Sequence, residues 1–538
     1  MALAVTRRGA YLSPDGIAYV GMARALVEGH GYTPPPGSPP VGNFPPLFTL
    51  VLAGVGMLGP DPLTAARYVN PVAFGLLVLA VGLVARRLTG SVGLAVAAQL
   101  LVVAGADFLT YATSALSEPL FLLLSLLALA AVAACLPRRR PGLLLVAALL
   151  AAAACLTRYV GVAVLAAGAA GLALLSRPRT RAWRSAVSLA AVGVAPLLGW
   201  FAWVQSREGQ ATNRQAVLHP PDGEYVVDAV VNASSWVVPD WLSQPARGIV
   251  AAAVVVALVL AARRASRHQA NAADPTRRAA PATSGDPGAA GPGEATATGE
   301  PGEATATGDP GEAADAGEAA DAVEPGAGRR PAALVALAVA AYLGALVVDR
   351  FLFDVTGRLD ERFLLAAHLG AILLAVWGLR RVDLSRAHAV RLGVSAIVGL
   401  QVANGALWVW DALDDPAVRP GGFTAPAWME SEVIDQVRAL PEGVAVFSNQ
   451  PEAVWFHTGK AAARIPEERV LLTGEPNDRY QAELAAMADT LRRGGVLVYF
   501  TEPPARTEFL DLKLSVAVVP SLEAVSYTHL TLPTNREV

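Results

Sequence analysis

Asp15, in Leu12-Ser13-Pro14-Asp15-Gly16, precedes a long series of apolar segments, and the chemical reading of the chain turns on it. A carboxylate beside a bilayer but outside the hydrocarbon ionises at little cost, so it can act as a general base toward a lipid-borne substrate. Its plainer reading is structural: Pro14 suits a first helical turn, and an acid there is favoured by the helix dipole. Tyr19 follows at helical spacing and is a candidate substrate contact. Glu118, in Ala115-Leu116-Ser117-Glu118-Pro119, opens a later apolar segment. It reads as a cap shared with Ser117 or as a second acid that orients a hydroxyl or, with Asp15, holds a divalent cation. Arg158 is a lone arginine within the apolar block 142–175. Its guanidinium fork matches phosphate oxygens, and snorkelling to lipid headgroups is the competing role. Arg358, Asp360, Glu361 and Arg362 crowd one segment boundary as a headgroup-binding rim, with Arg362 the better candidate because it abuts the next apolar run. His30, in Glu28-Gly29-His30-Gly31-Tyr32, could contact a sugar or shape a Gly-rich turn, and Trp236 and Trp241 could stack on a sugar or anchor at an interface.

These residues must be positioned by membrane helices. The chain of 538 residues is 54% hydrophobic and 16% charged, with mean hydropathy +0.44, against about 25% charged in an average soluble domain. Apolar runs at 65–85, 92–112, 118–136, 142–157, 159–175, 186–204, 247–263, 331–348, 363–379 and 388–410 predict ten spans in a polytopic α-helical membrane protein. The 142–175 block reads as a tight hairpin turning at Thr157-Arg158-Tyr159, and 44–59 as an interfacial helix. Arginine clusters at 86–87, 138–140, 177–184, 263–267 and 380–381 then fall on one side, which the positive-inside rule makes cytoplasmic. Asp15, Glu118, Arg158 and Arg362 fall on the opposite, extracytoplasmic face. The first loop (1–64) is thus expected outside without a span ahead of it, which suggests a further helix upstream. Membrane core is expected at 65–265 and 330–410. Residues 266–329, rich in Ala, Gly, Pro, Thr and acids, carry a near-duplication at 292–300 and 301–309 and read as an unfolded acidic cytoplasmic linker.

Residues 411–524 are ordinary soluble sequence. Helices are expected at 430–440, 453–458 and 477–491 and strands at 443–448 and 494–500, forming a small extracytoplasmic α/β domain without a Gly-x-Gly-x-x-Gly cofactor loop. Residues 525–538 depart from this pattern and resemble a translated sequencing adapter, so no site is expected on Tyr527 or His529. Cys135 and Cys155 fall inside apolar helices and suit packing rather than a disulfide. No long basic patch favours nucleic acid.

The motifs 13–32 (Ser-Pro-Asp-Gly-Ile-Ala-Tyr-Val-Gly-Met-Ala-Arg-Ala-Leu-Val-Glu-Gly-His-Gly-Tyr), Asn43-Phe-Pro-Pro-Leu-Phe48, Ala115-Leu-Ser-Glu-Pro-Leu-Phe121, Leu156-Thr-Arg-Tyr-Val-Gly161 and Leu359-Asp-Glu-Arg-Phe-Leu-Leu365 together resemble polyprenyl-phosphate-dependent glycosyltransferases of the GT-C type, in the protein-mannosyltransferase and aminoarabinose-transferase-like group called glycosyltransferase family 39. Val446–Lys460 resembles uncharacterised bacterial members of the same class. The resemblance implies a polyprenyl-phosphate sugar donor, an inverting transfer with Asp15 as base, lipid-phosphate contacts from Arg158 and Arg362, and a helix before the acidic loop. The family often has a second acid beside the base, where this chain has Gly16. A transporter of lipid-linked sugars and an inactive membrane scaffold are the alternatives, but internal repeats and broken mid-membrane helices, which would mark a transporter, are not evident in the sequence.

Overall fold

The apolar blocks form helices because only a helix satisfies every backbone polar group within its own segment. The computed structural model describes residues 1–137, 140–212, 216–218, 223–238, 243–272, 329–353, 359–383, 387–414, 421–470 and 475–500. Arg138, Arg139, Trp241, Arg358, most of the 266–329 linker and the 525–538 segment lie outside these residues. In chain order the first elements are α1 (Ala2–Val5), α2 (Pro14–Val27), α3 (Leu47–Gly56), α4 (Pro62–Thr89), α5 (Val92–Val103), α6 (Ala106–Ala112) and α7 (Glu118–Cys135). Then come α8 (Pro141–Thr157), α9 (Val162–Leu175), α10 (Arg179–Glu208), α11 (Gly223–Ser234) and α12 (Gln244–Ala272). The bundle closes with α13 (Arg329–Leu352), α14 (Glu361–Leu379) and α15 (His388–Asp414).

Six of the described helices (α4, α7, α10, α13, α14 and α15) are long and apolar enough to cross a bilayer, and α5 with α6, bent by 60°, makes a seventh if counted as one span. The protein is a multi-pass helical bundle. The ten expected runs all become helical, but runs 142–157 and 159–175 form short apolar helices, and the apolar part of α12 is confined to Ala246–Leu260. Seventeen residues of α8 rise only about 26 Å, short of a ~30 Å hydrocarbon core. The expected hairpin is present: α8 ends at Arg158, whose backbone is extended (φ −148°), and a 3-10 turn at Tyr159–Gly161 leads into α9. Gly161 is required there, because a Cβ would lie 2.6 Å from the carbonyl carbon of Ala154. Small residues let the bundle close: Ala147, Ala148, Ala151, Ala154 and Cys155 are buried on α8, which packs on α7 and α10. Both cysteines are buried free thiols.

Beyond α15 lie α16 (Pro426–Met429), α17 (Glu432–Ala439), β1 (Val446–Ser448), α18 (Pro451–Thr458), β2 (Ala462–Arg464), α19 (Tyr480–Arg492) and β3 (Val496–Val498). The strands form a parallel sheet in the order β2-β1-β3, with Val446 opposite both Ala462 and Val496. This small domain is tied to the bundle by a backbone seam at residues 10–12. Tyr11 N–H donates to Thr113 O (2.9 Å), and Ala115 N–H donates to Tyr11 O (2.8 Å). On the other side Phe423 N–H donates to Leu12 O (2.8 Å), and Thr424 Oγ1 donates to Ala10 O (2.9 Å). Gly422 sits at φ +69°, where a Cβ would fall 2.1 Å from Leu12 O, so only glycine allows this approach.

Candidate active site

The seam sets the position of Asp15. Ser13, extended at the start of α2, accepts from Gly16 N–H (3.2 Å) and serves as the N-cap, which leaves the Asp15 carboxylate outside the capping role. Gly16 faces the neighbouring loop closely: a Cβ would stand 3.0 Å from Leu12 Cδ1 and 3.2 Å from Ala115 O. A side chain at this position would press on Leu12 and on the Ala115 carbonyl.

Glu118 is the first residue of α7, and the loop ahead of it is fixed from α4. Asn70, wholly buried, donates through Nδ2 to Ser114 O (2.5 Å) and Leu116 O (2.7 Å). Arg158 projects from the break in the α8–α9 hairpin. Tyr159 beside it donates to Gly42 O (2.9 Å) and accepts from Trp200 Nε1 (3.0 Å), which ties the hairpin tip to the first loop. Arg362 lies in the first turn of α14, whose N-cap Asp360 accepts from Phe363 N–H (3.0 Å).

Four charged side chains from four separate segments meet here. Glu118 Oε1 accepts from Arg158 Nη1 and from Arg362 Nε, and Arg362 Nη1 donates to Asp15 Oδ2 (2.6 Å). The order across the site is Asp15, Arg362, Glu118, Arg158, and the formal charges cancel. Side-chain exposure falls from 33% at Asp15 to 13% at Arg158, 11% at Arg362 and 3% at Glu118, so the cluster opens to solvent at Asp15. Glu118 Oε2 is buried with no hydrogen-bond partner among the described residues.

Tyr19 is buried on α2 next to this cluster, its hydroxyl 3.4 Å from Ser117 Oγ. Burial, against the pull of Arg158, pushes its phenol up to about 12, so it remains a neutral hydroxyl. Burial likewise raises the Asp360 carboxyl to about 6, with the Phe363 N–H and Arg362 drawing it down.

His30 is not brought to the cluster. It stands beyond the far end of α2, on the order of 18 Å along the helix from Asp15, with Nδ1 3.4 Å from Glu28 Oε2. Trp236, half-buried, stacks on the buried His368 at 4.6 Å and 9°.

A divalent cation shared by Asp15 and Glu118 does not fit this arrangement, because the Arg362 guanidinium occupies the bridging position between the two carboxylates. Among the described residues no group of three His, Cys, Asp or Glu side chains is arranged to hold a metal.

Asn70 and the seam segment at 421–424 escaped the sequence reading. A lone Asn in an apolar helix, followed by Pro71, and the Gly421-Gly422 pair were the available signals.

No protein-family model and no curated protein matches the chain. Its fold is similar to that of ArnT from Cupriavidus metallidurans. The apo form is 12% identical, with a TM-score of 0.54 over 93% of this chain and 91% of that one. The form bound to undecaprenyl phosphate is 13% identical, with a TM-score of 0.52 over 93% and 87%. At this identity the likeness is one of fold, and it extends across both the bundle and the C-terminal domain.

Proposed function

We propose that the protein is an inverting glycosyltransferase that moves a sugar from a polyprenyl-phosphate donor to a hydroxyl acceptor at the extracytoplasmic face of the cell membrane. The observation that carries this reading is the chain of charges from Asp15 through Arg362 and Glu118 to Arg158, at the end of a membrane bundle whose fold resembles one solved with a polyprenyl phosphate. Two guanidiniums beside an apolar bundle suit a lipid phosphate, which accepts fork-like hydrogen bonds. Glu118, buried and held by both arginines, is a positioning residue that keeps the pair aimed at one place.

In the ligand-free arrangement Asp15 is itself bound by Arg362. A donor phosphate competing for Arg362 Nη1 releases the Asp15 carboxylate, which is then free to accept a proton from the acceptor hydroxyl. The acceptor oxygen forms a bond to the anomeric carbon as the bond from that carbon to the phosphate oxygen breaks. The proton passes to Asp15, and the polyprenyl phosphate leaves with its new charge held by Arg158 and Arg362. Such fixed charges stabilise the transition state without reorganising. Tyr19 supplies a neutral hydroxyl beside the reacting groups. No step requires a metal.

The test is transfer from polyprenyl-phosphate sugars by the purified full chain in lipid, comparing wild type with Asp15→Asn. Loss of a general base lowers turnover by about 10²–10⁴-fold, with donor binding retained. Unchanged turnover in Asp15→Asn removes Asp15 as base, and donor translocation without transfer favours a transporter.

A further inference from the structure

The function above leaves two sequence features unused: His30 in its Gly-rich turn and the Val446–Lys460 motif. They meet in one place. A cleft of about 500 Å³ opens between the outer half of α2 and the C-terminal domain, and Arg24, Glu28, His30, Pro35, Trp455 and Phe456 line it. That volume lies within the ~300–1,000 Å³ of ordinary ligand pockets.

The cleft is held by specific contacts. Gly21 brings the proline loop and the indole against α2, since a Cβ there would fall 2.1 Å from Pro35 Cγ and 2.9 Å from Trp455 Cη2. Arg24 is clamped to Asp61 by two hydrogen bonds of 2.8 and 3.1 Å, and its guanidinium carbon lies 5.2 Å from the centre of the Phe456 ring. Trp455 is half-buried and Glu28 and His30 are exposed at the rim.

Charge decides the ligand class. Burial pushes the Asp61 carboxyl up, but its hydrogen bonds from Arg24 and from backbone N–H groups outweigh this and hold it below its ordinary value, so it cancels the Arg24 charge. His30, at the exposed rim, has its Nδ1 3.4 Å from Glu28 Oε2. The cleft thus offers no unpaired cation to a phosphate, but it offers aromatic surface beside a carboxylate and an imidazole. A pyranose fits that combination, with its apolar C–H face on a ring and its hydroxyls toward polar groups at the rim. Gly21 is six residues from Asp15, about 9 Å along α2 and roughly 120° around it, so the cleft and the charge cluster open from different faces of the helix.

We infer that the cleft between α2 and α18 is a binding subsite for a neutral saccharide. Saccharide binding stands on the cleft itself, independently of the proposed transfer.

The experiment measures binding of a panel of neutral methyl glycosides and short neutral oligosaccharides to the full chain by saturation-transfer NMR, with inorganic phosphate as the competing probe. Wild type is expected to bind at least one glycoside. Trp455→Ala should weaken it at least tenfold, Trp455→Phe should restore much of it, and Glu28→Gln, at the exposed rim and harmless to folding, should weaken it several-fold. Asp15→Asn should bind the glycoside as wild type does, although it fails in transfer. Absence of glycoside binding by folded wild type, binding indifferent to both Trp455→Ala and Glu28→Gln, or phosphate binding in place of glycosides overturns the subsite. Glycoside binding without transfer from any polyprenyl-phosphate sugar overturns the transferase reading and leaves the subsite standing.

Discussion

Glu118 has almost no contact with water, and its ionisation is sustained by two arginines on one oxygen. Removing one member of such a group leaves buried charges uncompensated, which costs about 3–5 kcal/mol. Glu118→Ala should therefore unfold at clearly lower temperature than wild type, whereas a residue serving only as a helix cap would cost about 0.5–2 kcal/mol; thermal unfolding in detergent separates the two. Asp360 gives a pH-dependent prediction. Its folded-state value, about 6, is above the ordinary 3.8. A raised carboxyl contributes stability that is complete below the unfolded value and is lost as pH rises through the folded one. Asn also caps helices but does not ionise. The melting temperature of wild type should fall relative to Asp360→Asn between pH 5 and pH 7.5, and a constant difference across that range would refute the assignment. At this scale the sequence was informative about residue types: a charge beside apolar runs is conspicuous, isolated as at Asp15, Glu118 and Arg158 or crowded with others as at Arg362. It was silent about their connection, because Arg362 and Asp15 are 347 positions apart and nothing local encodes that contact.

The helices were legible because helical periodicity and caps are local. The start at Pro14 and the break at Arg158 both follow from neighbouring residues. The expected strands at 443–448 and 494–500 contain β1 and β3, and the expected helices at 430–440, 453–458 and 477–491 overlap α17, α18 and α19. Strand β2 was hidden because Ala462-Ala463-Arg464 has little intrinsic strand preference and pairs only because β1 lies beside it. The count of membrane crossings was harder to read, since apolar composition does not reveal a 60° bend such as the one between α5 and α6. The seam at residues 10–12 gives the prediction for elements. Gly422→Ala introduces a Cβ into a left-handed position already filled by the Leu12 carbonyl. It should loosen the C-terminal domain, raise its sensitivity to limited proteolysis, and reduce transfer by displacing Asp15, while the bundle stays folded. Wild-type proteolysis and transfer in that variant would remove the seam from the positioning of the site.

At the scale of the molecule, the proposed function requires the Asp15 end of the bundle to face outward, the side that the arginine distribution predicts when all ten apolar runs are counted as spans. Both native cysteines are buried, so background thiol labelling should be low. A single exposed cysteine from Gln481→Cys on α19 should react with a membrane-impermeant maleimide in intact cells. Labelling only after lysis would invert the topology and place the proposed chemistry inside.

The seam also sets a timetable. Ala10 is bonded to Thr424, 414 positions later. Ribosomes add ~5–20 residues per second, so roughly 20–80 s of synthesis separates the two partners. Until the later one emerges, one flank of the Asp15 segment has nothing to pair with, and the growing chain can fill the membrane with helices before its reactive end is complete. Docking of the 421–424 segment onto residues 10–12 is thus among the last steps of assembly.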